Sequence, residues 1–520
     1  MKIQNLQYHP KGVLDGSLTR TLRLLNTNPA ANAVGIDLVA MVAPRTYVDT
    51  KERNKYAGAE TFFREFTGTL TVCLSASYFA KMLAKISNKF INPAVPINTN
   101  SLYSNNSLAF LNNMPKYGTE EYVSNVFDSL FGTDGSKTNY FNKIKWDNID
   151  WIDEKKFTKI KWDDKKYQNI YNGLKSKEAL ISAASELIDN KNISKKDKKN
   201  LITIIGSRIV NALGSENITA EYGSEKTSAP LSDFLRDTMD FGRDILKSEQ
   251  KDIIINKLLK INKIKALGAI TLSSVLGLLN QYINRKITEK RTGKKGFVGA
   301  KNYMTNKEQR NDETGLFKLE KAASSAGMVI MTAGVMNIKS SEDFMRKLEF
   351  TRPVTGGNAI KTVYAATLIG RFLAADNKDE LRESVTRDYL GFLNWLVLGG
   401  FASKAAANIL DTKRKTLFNE KKAGTSGKNR ITHWFNDISL KSHNEIASKG
   451  ENFAKKNIWK LNLSMIAGLV YSTIALGFLL PKLNIFITNK KEPDDFITGH
   501  RNDEKYKTLS GFASRKQWYI

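Results

Sequence analysis

Between Lys460 and Pro481 the chain runs for twenty residues, Leu461 to Leu480, without a charge. Such a run limits the surroundings a helix can tolerate. At 1.5 Å per residue it measures about 30 Å, the thickness of a bilayer's hydrocarbon core. Ten of its residues are Leu, Ile, Val or Phe. On the insertion scale these contribute roughly -3 to -6 kcal/mol, which offsets the Ser, Thr, Gly and single Asn462 of the same stretch. Trp459 stands at the position of an interfacial anchor. Ser464, Gly468 and Ser472 follow one another at i+4, a spacing that gives one helix face small enough for close approach in lipid.

Ala266 to Asn284 is a second uncharged window, and Ala269, Ser273 and Gly277 repeat the i+4 device. The spacing of these six residues makes them candidates for helix packing, within the chain or against a second copy or a protein partner. Arg285, Lys286, Lys290, Arg291, Lys294 and Lys295 follow at once. A polybasic run beside a span is a candidate contact for anionic lipid headgroups.

Three shorter windows, 66–80, 322–338 and 389–403, would need tilt, snorkelling lysines or neighbouring helices to cross. A further window, 354–375, holds Lys361 near its middle and Arg371 towards its end. A central lysine costs about 2.5 to 3.5 kcal/mol on insertion. The window therefore reads as amphipathic or re-entrant unless a carboxylate meets the lysine. Omitting it leaves five spans and puts the basic connections 285–321 and 411–460 on one side, as the positive-inside rule prefers.

The expected fold is all-α, a multi-helix membrane protein with a basic helical extramembrane domain. Its divisions are a basic lead-in at 1–60, a candidate membrane helix at 61–86, and an extramembrane domain at 87–263 with a loop-rich start. Membrane-embedded helices occupy 264–410 (266–284, 322–338, 354–375 and 389–410), with the 354–375 segment least secure. A basic connection at 411–458, a membrane helix at 459–481 and a polar tail at 482–520 complete the chain. A continuous helix is expected to run from the extramembrane domain into the 266–284 window, because 250–290 contains no proline. The patch Ala30 to Ala43 is interrupted by Asp37 and expected to stop at Pro44. No cleaved signal peptide is expected, since the first 30 residues lack an apolar run of sufficient length.

The formal charge of +28 points to an anionic partner: headgroups, an acidic protein or nucleic acid. Nucleic acid is the weakest of these. Phe141 to Asp147 recurs as Phe157 to Asp163, with Lys and Trp interleaved, but neighbouring acidic residues nearly cancel the charge.

The residues needed for chemistry are sparse. One cysteine, Cys73, lies in an apolar window, and four histidines are scattered. The glycine-containing stretches 132–138 and 424–429 miss the phosphate-loop spacing. No catalytic residue, cofactor or metal site is expected. The function expected is binding, scaffolding or membrane organisation. A transporter or pore lined by Lys361, Arg371 and Asn394 is the first alternative. A soluble, basic, helical nucleic-acid binder is the second.

Overall fold

In a computed structural model, described residues are 16–27, 29–91, 105–115, 120–131, 217–223, 225–241, 249–299, 314–348, 357–420, 438–447 and 449–491, plus scattered positions in 181–209 and residues 245–246. The repeated Lys/Trp segment and the two phosphate-loop look-alikes lie outside them. Helices dominate, and the strands form two antiparallel pairs.

Long helical rods make the bundle. The first comprises α1 (Ser17–Thr27), then α2 (Pro29–Ile36), a π-helical turn at Asp37–Val42, and α3 (Ala43–Glu52). The second joins α4 (Lys55–Leu70) to α5 (Ala76–Ile91) through a π-turn at Thr71–Ser75. Asn54 starts it by accepting the Ala57 N–H at 2.8 Å, which satisfies one orphan donor of the first turn.

The segment 90–140, whose Asn, Ser and Gly clusters read as loops, contains α6 (Asn105–Asn113) and α7 (Glu120–Phe131). Leu108 and Leu111, then Tyr122, Val123, Val126, Phe127 and Leu130, recur every three or four residues and are buried. That period supplies a helical face despite the surrounding Asn and Ser. With them pack Leu201, Ile205 and Ile209, a hairpin of β1 (Asn217–Tyr222) and β2 (Glu225–Pro230), and α8 (Leu231–Leu235). The hairpin turns at Gly223, whose φ of 59° suits glycine.

From this core α9 (Lys251–Thr292) continues without a break for 42 residues, about 63 Å. Its Ile254, Ile255 and Leu258 belong to the core that α6, α7 and the hairpin share, and its later turns belong to the bundle. Gly293, at φ 69°, ends it. The remaining rods are α10 (Gly315–Val335), the short α11 (Ser341–Lys347), α12 (Gly357–Ala374), and α13 (Lys378–Leu393) joined by a π-turn at Asn394–Leu398 to α14 (Gly399–Leu410). After the β3 (Phe418–Glu420) and β4 (Ile438–Leu440) pair comes α15 (His443–Ala447). The last rod is α16 (Glu451–Ser472), a π-turn at Thr473–Leu479, and α17 (Leu480–Lys491).

Among the described residues two helices, Lys251–Thr292 and Asn452–Asn489, are long and apolar enough to cross a membrane by length and composition. In the second, 33% of the most apolar stretch is buried. Trp459, Leu463, Val470, Ile474, Leu479 and Phe486 are among its exposed side chains. The chain therefore does not wrap this helix.

Two sequence expectations change. The segment 354–375 is an interior helix: α12 packs beside α9, α10 and α13. Gly370 lies so close to Leu278 that an added Cβ would meet its carbonyl oxygen at 2.6 Å and its Cα at 2.7 Å. The described parts of the basic connections 285–321 and 411–460 also fall at opposite ends of the bundle. Lys321 reaches the carbonyl of Leu373 at one end, whereas Leu417, Ile438 and Ile446 pack on Ala407, Ala454 and Leu461 at the other. These two basic segments are separated along the bundle because α12 runs alongside its neighbours.

At that second end His443 is fully buried. Its Nε2 lies 2.8 Å from Asn462 Oδ1, and Asn462 Nδ2 donates to Thr19 Oγ1 at 2.9 Å. The amide orientation assigns the imidazole hydrogen to Nε2. Burial lowers the imidazole pKa, and nearby Arg23 lowers it further, against the opposing effect of the Asn462 hydrogen bond. Below pH ~6.5 the unfolded chain takes up this proton before the folded one. Thermal stability should therefore fall as the pH drops from 7.5 to 5.5, and His443→Gln should narrow that fall. Equal pH dependence of the two proteins would remove His443 as its source.

Candidate functional site

A buried ionic cluster sits towards the end of the bundle that carries Arg285 and the α12–α13 turn. Glu65 is its centre. Its Oε1 accepts from Arg45 at 3.2 Å and from Arg64 at 3.3 Å, and its Oε2 accepts from Arg371 at 3.3 Å. Arg371 also donates to Asp388 Oδ1 at 3.0 Å, where Arg387 Nε adds a second bond at 3.0 Å. Arg45, Glu65, Arg371 and Asp388 are each at most 6% exposed. The residues come from α3, α4, α12 and α13, so the cluster ties four rods together. Charge-assisted bonds of this kind hold only with partners in place, since a buried lone charge is costly.

Local helix distortions help to build it. Pro481 has no N–H, and the Leu480 N–H bonds back to Ala475 across the preceding π-turn. The Leu476 carbonyl is thus left without those main-chain donors, and Arg45 Nε fills the role at 2.9 Å. Pro44 repeats the pattern two residues after the first π-turn. The wide turn lets the helix continue through a proline that the sequence alone presents as a stop. The two bends meet at Gly477, where a Cβ would sit 2.6 Å from the Ala40 carbonyl oxygen.

Beside the cluster lies a narrow polar cleft of about 20 Å³, walled by α3, α4, α9 and α13 and by the loop after α9. Arg53 bonds Glu383 at 2.7 Å and stands near Asp49 at 3.4 Å. Its guanidinium also stacks on Phe297, 5.6 Å from the ring centre. Asn54 Nδ2 donates to the Val298 carbonyl at 3.1 Å, holding the loop against the cleft. Thr488 and Asn484 of α17 bond the Glu383 carboxylate and carbonyl at 3.2 and 3.3 Å.

The residues singled out by sequence take different places. Ala269, Ser273 and Gly277 are buried on α9, and a Cβ at Gly277 would press on the Thr367 backbone. Ser464 and Ser472 are buried, and Gly468 faces Gly399 and Ser403 of α14. Helices of the same chain cover both small-residue faces. Among the basic residues, Arg285 turns inward to Asp376, the Ala374 carbonyl and Glu380. This differs from a headgroup contact: its guanidinium is committed to carboxylates at the start of α13. Lys286, Lys290, Arg291 and Lys295 are exposed and Lys294 half-buried, with Lys286 bonded to Glu289 at 2.9 Å.

Of the polar positions, Arg371 joins the cluster. Lys361 is half-buried and its ammonium meets Asn358 Oδ1 at 3.4 Å, so an amide stands where a carboxylate was sought. Asn394 accepts from Tyr471 at 2.9 Å. Cys73 is buried in the apolar core.

Sequence reasoning missed Arg45, Glu60, Glu65, Gln281, Arg387 and Asp388. Arg45, Glu65, Arg387 and Asp388 stand beside apolar windows and Gln281 lies within one, but nothing in the sequence around them marks an interior pairing. Set against known protein families, curated proteins and solved structures, the chain matches none.

Proposed function

We propose that this chain is an integral membrane protein whose bundle spans a bilayer and serves in binding, scaffolding or membrane organisation. One observation carries the reading: on the two long helices, apolar side chains face outward while amides and small polar residues face inward. On α9, Leu267, Leu272, Leu276, Leu279 and Ile283 are exposed, whereas Ser273, Asn280, Gln281 and Asn284 are buried. On the last rod, Ile474 and Leu479 point out while Asn462, Ser464, Ser472 and Asn484 point in. Water would favour the reverse, and hydrocarbon favours this arrangement.

The basic residues after α9 suit anionic headgroups around the bundle's end. Nucleic acid remains the weaker alternative for the same charge. On expression of the full chain in cells, the protein should sediment with membranes and stay there through high salt and alkaline carbonate. Release by carbonate would contradict an integral attachment.

A second reading, a transporter or pore, draws support from the polar cleft beside a charged interior. Ionisable groups inside a lipid-facing bundle are expensive and commonly mark a path for a charged species.

A further inference from the structure

We propose that the carboxylate of Glu60, with the amide oxygens of Gln281 and Asn284, binds one monovalent metal cation where the polar cleft meets the recess beside it. The inference deepens the transport reading and rests on it only for movement of the ion; binding itself follows from the bundle's own geometry.

The charge pattern of the cleft comes first. Each guanidinium in its wall already meets a carboxylate: Arg53 meets Asp49 and Glu383, Arg64 meets Glu65, and Arg387 meets Asp388. Glu380 is met by Arg285. Glu60 lines the same cleft, is 8% exposed, and forms no ion pair among the described residues. The Glu60 carboxylate is thus buried with no directly bonded cation, Arg64 attracting it only at longer range, and a buried carboxylate calls for a counter-charge close by.

The oxygens around it supply the independent observation. Gln281 is 5% exposed, lines the cleft with Glu60, and has an Oε1 without a hydrogen-bond partner. Asn284 is 1% exposed, and its Nδ2 is fixed by donation to the Glu60 carbonyl at 3.2 Å. That bond assigns the other end of the amide as oxygen, and Asn284 Oδ1 has no partner either. Asn284 and Glu60 share an adjoining recess next to the cleft. Gln281 and Asn284 are three residues apart on α9, hence on one helix face.

A carboxylate and two amide oxygens form a hard, all-oxygen donor set suited to alkali or alkaline-earth ions and poor for soft metals. The set carries one negative charge, which a single positive charge balances. Among the described residues no group of three or more His, Cys, Asp or Glu side chains is arranged to hold a metal ion. Na+ and K+ are therefore the ions chosen for the test.

The experiment follows thermal unfolding of the purified full chain in detergent. Choline chloride is replaced stepwise by NaCl, or separately by KCl, at constant ionic strength and pH. The unfolding temperature is expected to rise saturably with one of the two salts. Glu60→Gln should increase the half-effect concentration at least ~10-fold, a change of about 1.4 kcal/mol. Lys413→Gln, at an exposed position at the far end of the bundle, should leave it unchanged. Should Glu60→Gln fail to fold, Glu60→Asp and Gln281→Leu provide the same comparison. The proposal is overturned if neither salt differs from choline in the wild-type protein, or if the variants respond as the wild type does. Carbonate extraction is a separate readout, so loss of the cation site and loss of the membrane reading are distinguishable.

Discussion

Glu65→Gln is expected to cost about 3–5 kcal/mol of stability, the largest effect of any single substitution in the bundle. Three guanidiniums, those of Arg45, Arg64 and Arg371, converge on this carboxylate. Glutamine keeps the size and one acceptor oxygen but removes the negative charge. The remaining guanidiniums then face one another with Asp388 as the nearest shared counter-charge. Like charges in a buried site repel strongly because little water screens them. The same reasoning predicts a partial rescue. Adding Arg371→Met to Glu65→Gln removes one of the excess cations, so the double variant should be more stable than additivity of the two single changes allows. Reversible unfolding in mixed detergent micelles gives all four corners of the cycle. Simple additivity would show that Glu65 and Arg371 do not interact as their 3.3 Å contact requires.

Gly370→Val should be nearly as damaging, with an expected cost of ~3 kcal/mol, because the side chain would need to displace main chain and not another side chain. An added Cβ meets the Leu278 carbonyl oxygen at 2.6 Å, its Cα at 2.7 Å and its carbonyl carbon at 3.0 Å. No rotamer relieves a clash between a Cβ and backbone, so α12 must move away from α9. That movement would also draw Arg371, the next residue, from its two carboxylates. Gly400→Val is the control: a Cβ there meets nothing within 4 Å, although valine still carries its modest helix penalty. Measured unfolding should separate the pair widely, and equal losses would show that the close crossing does not govern stability.

The long helices were the legible part of the sequence. Their charge-free length shows in a one-dimensional pattern, and the absence of proline in 250–290 predicts the unbroken α9. The small residues at i+4 could be recognised as a face, while the helix that covers that face could not. Proline misled at Pro44, because the π-turn that accommodates it depends on hydrogen bonding across a bend. The ionic cluster was legible only at Arg371. Its partners Glu65 and Asp388 are 306 and 17 residues away in sequence, and nothing local distinguishes a carboxylate paired in the interior from one facing water. Glu60, Gln281 and Asn284 were hidden for the same reason: a side chain's counterpart is set by how the rods cross. The helices at 105–113 and 120–131 were obscured by Asn and Ser on their polar faces, while the buried face kept its period.

Nitroxide accessibility reports whether lipid or water surrounds α9 and the last rod. Cys73 is the chain's one cysteine and is buried, so a Cys73→Ala background allows single labels at Leu276, Ile283, Ile474 and Leu479, all exposed on the bundle. In reconstituted bilayers, power saturation should show these labels relaxed strongly by molecular oxygen, which concentrates in lipid, and weakly by a water-soluble nickel chelate. Stronger relaxation by the nickel chelate at Ile474 and Leu479 would place the last rod in water and contradict the account.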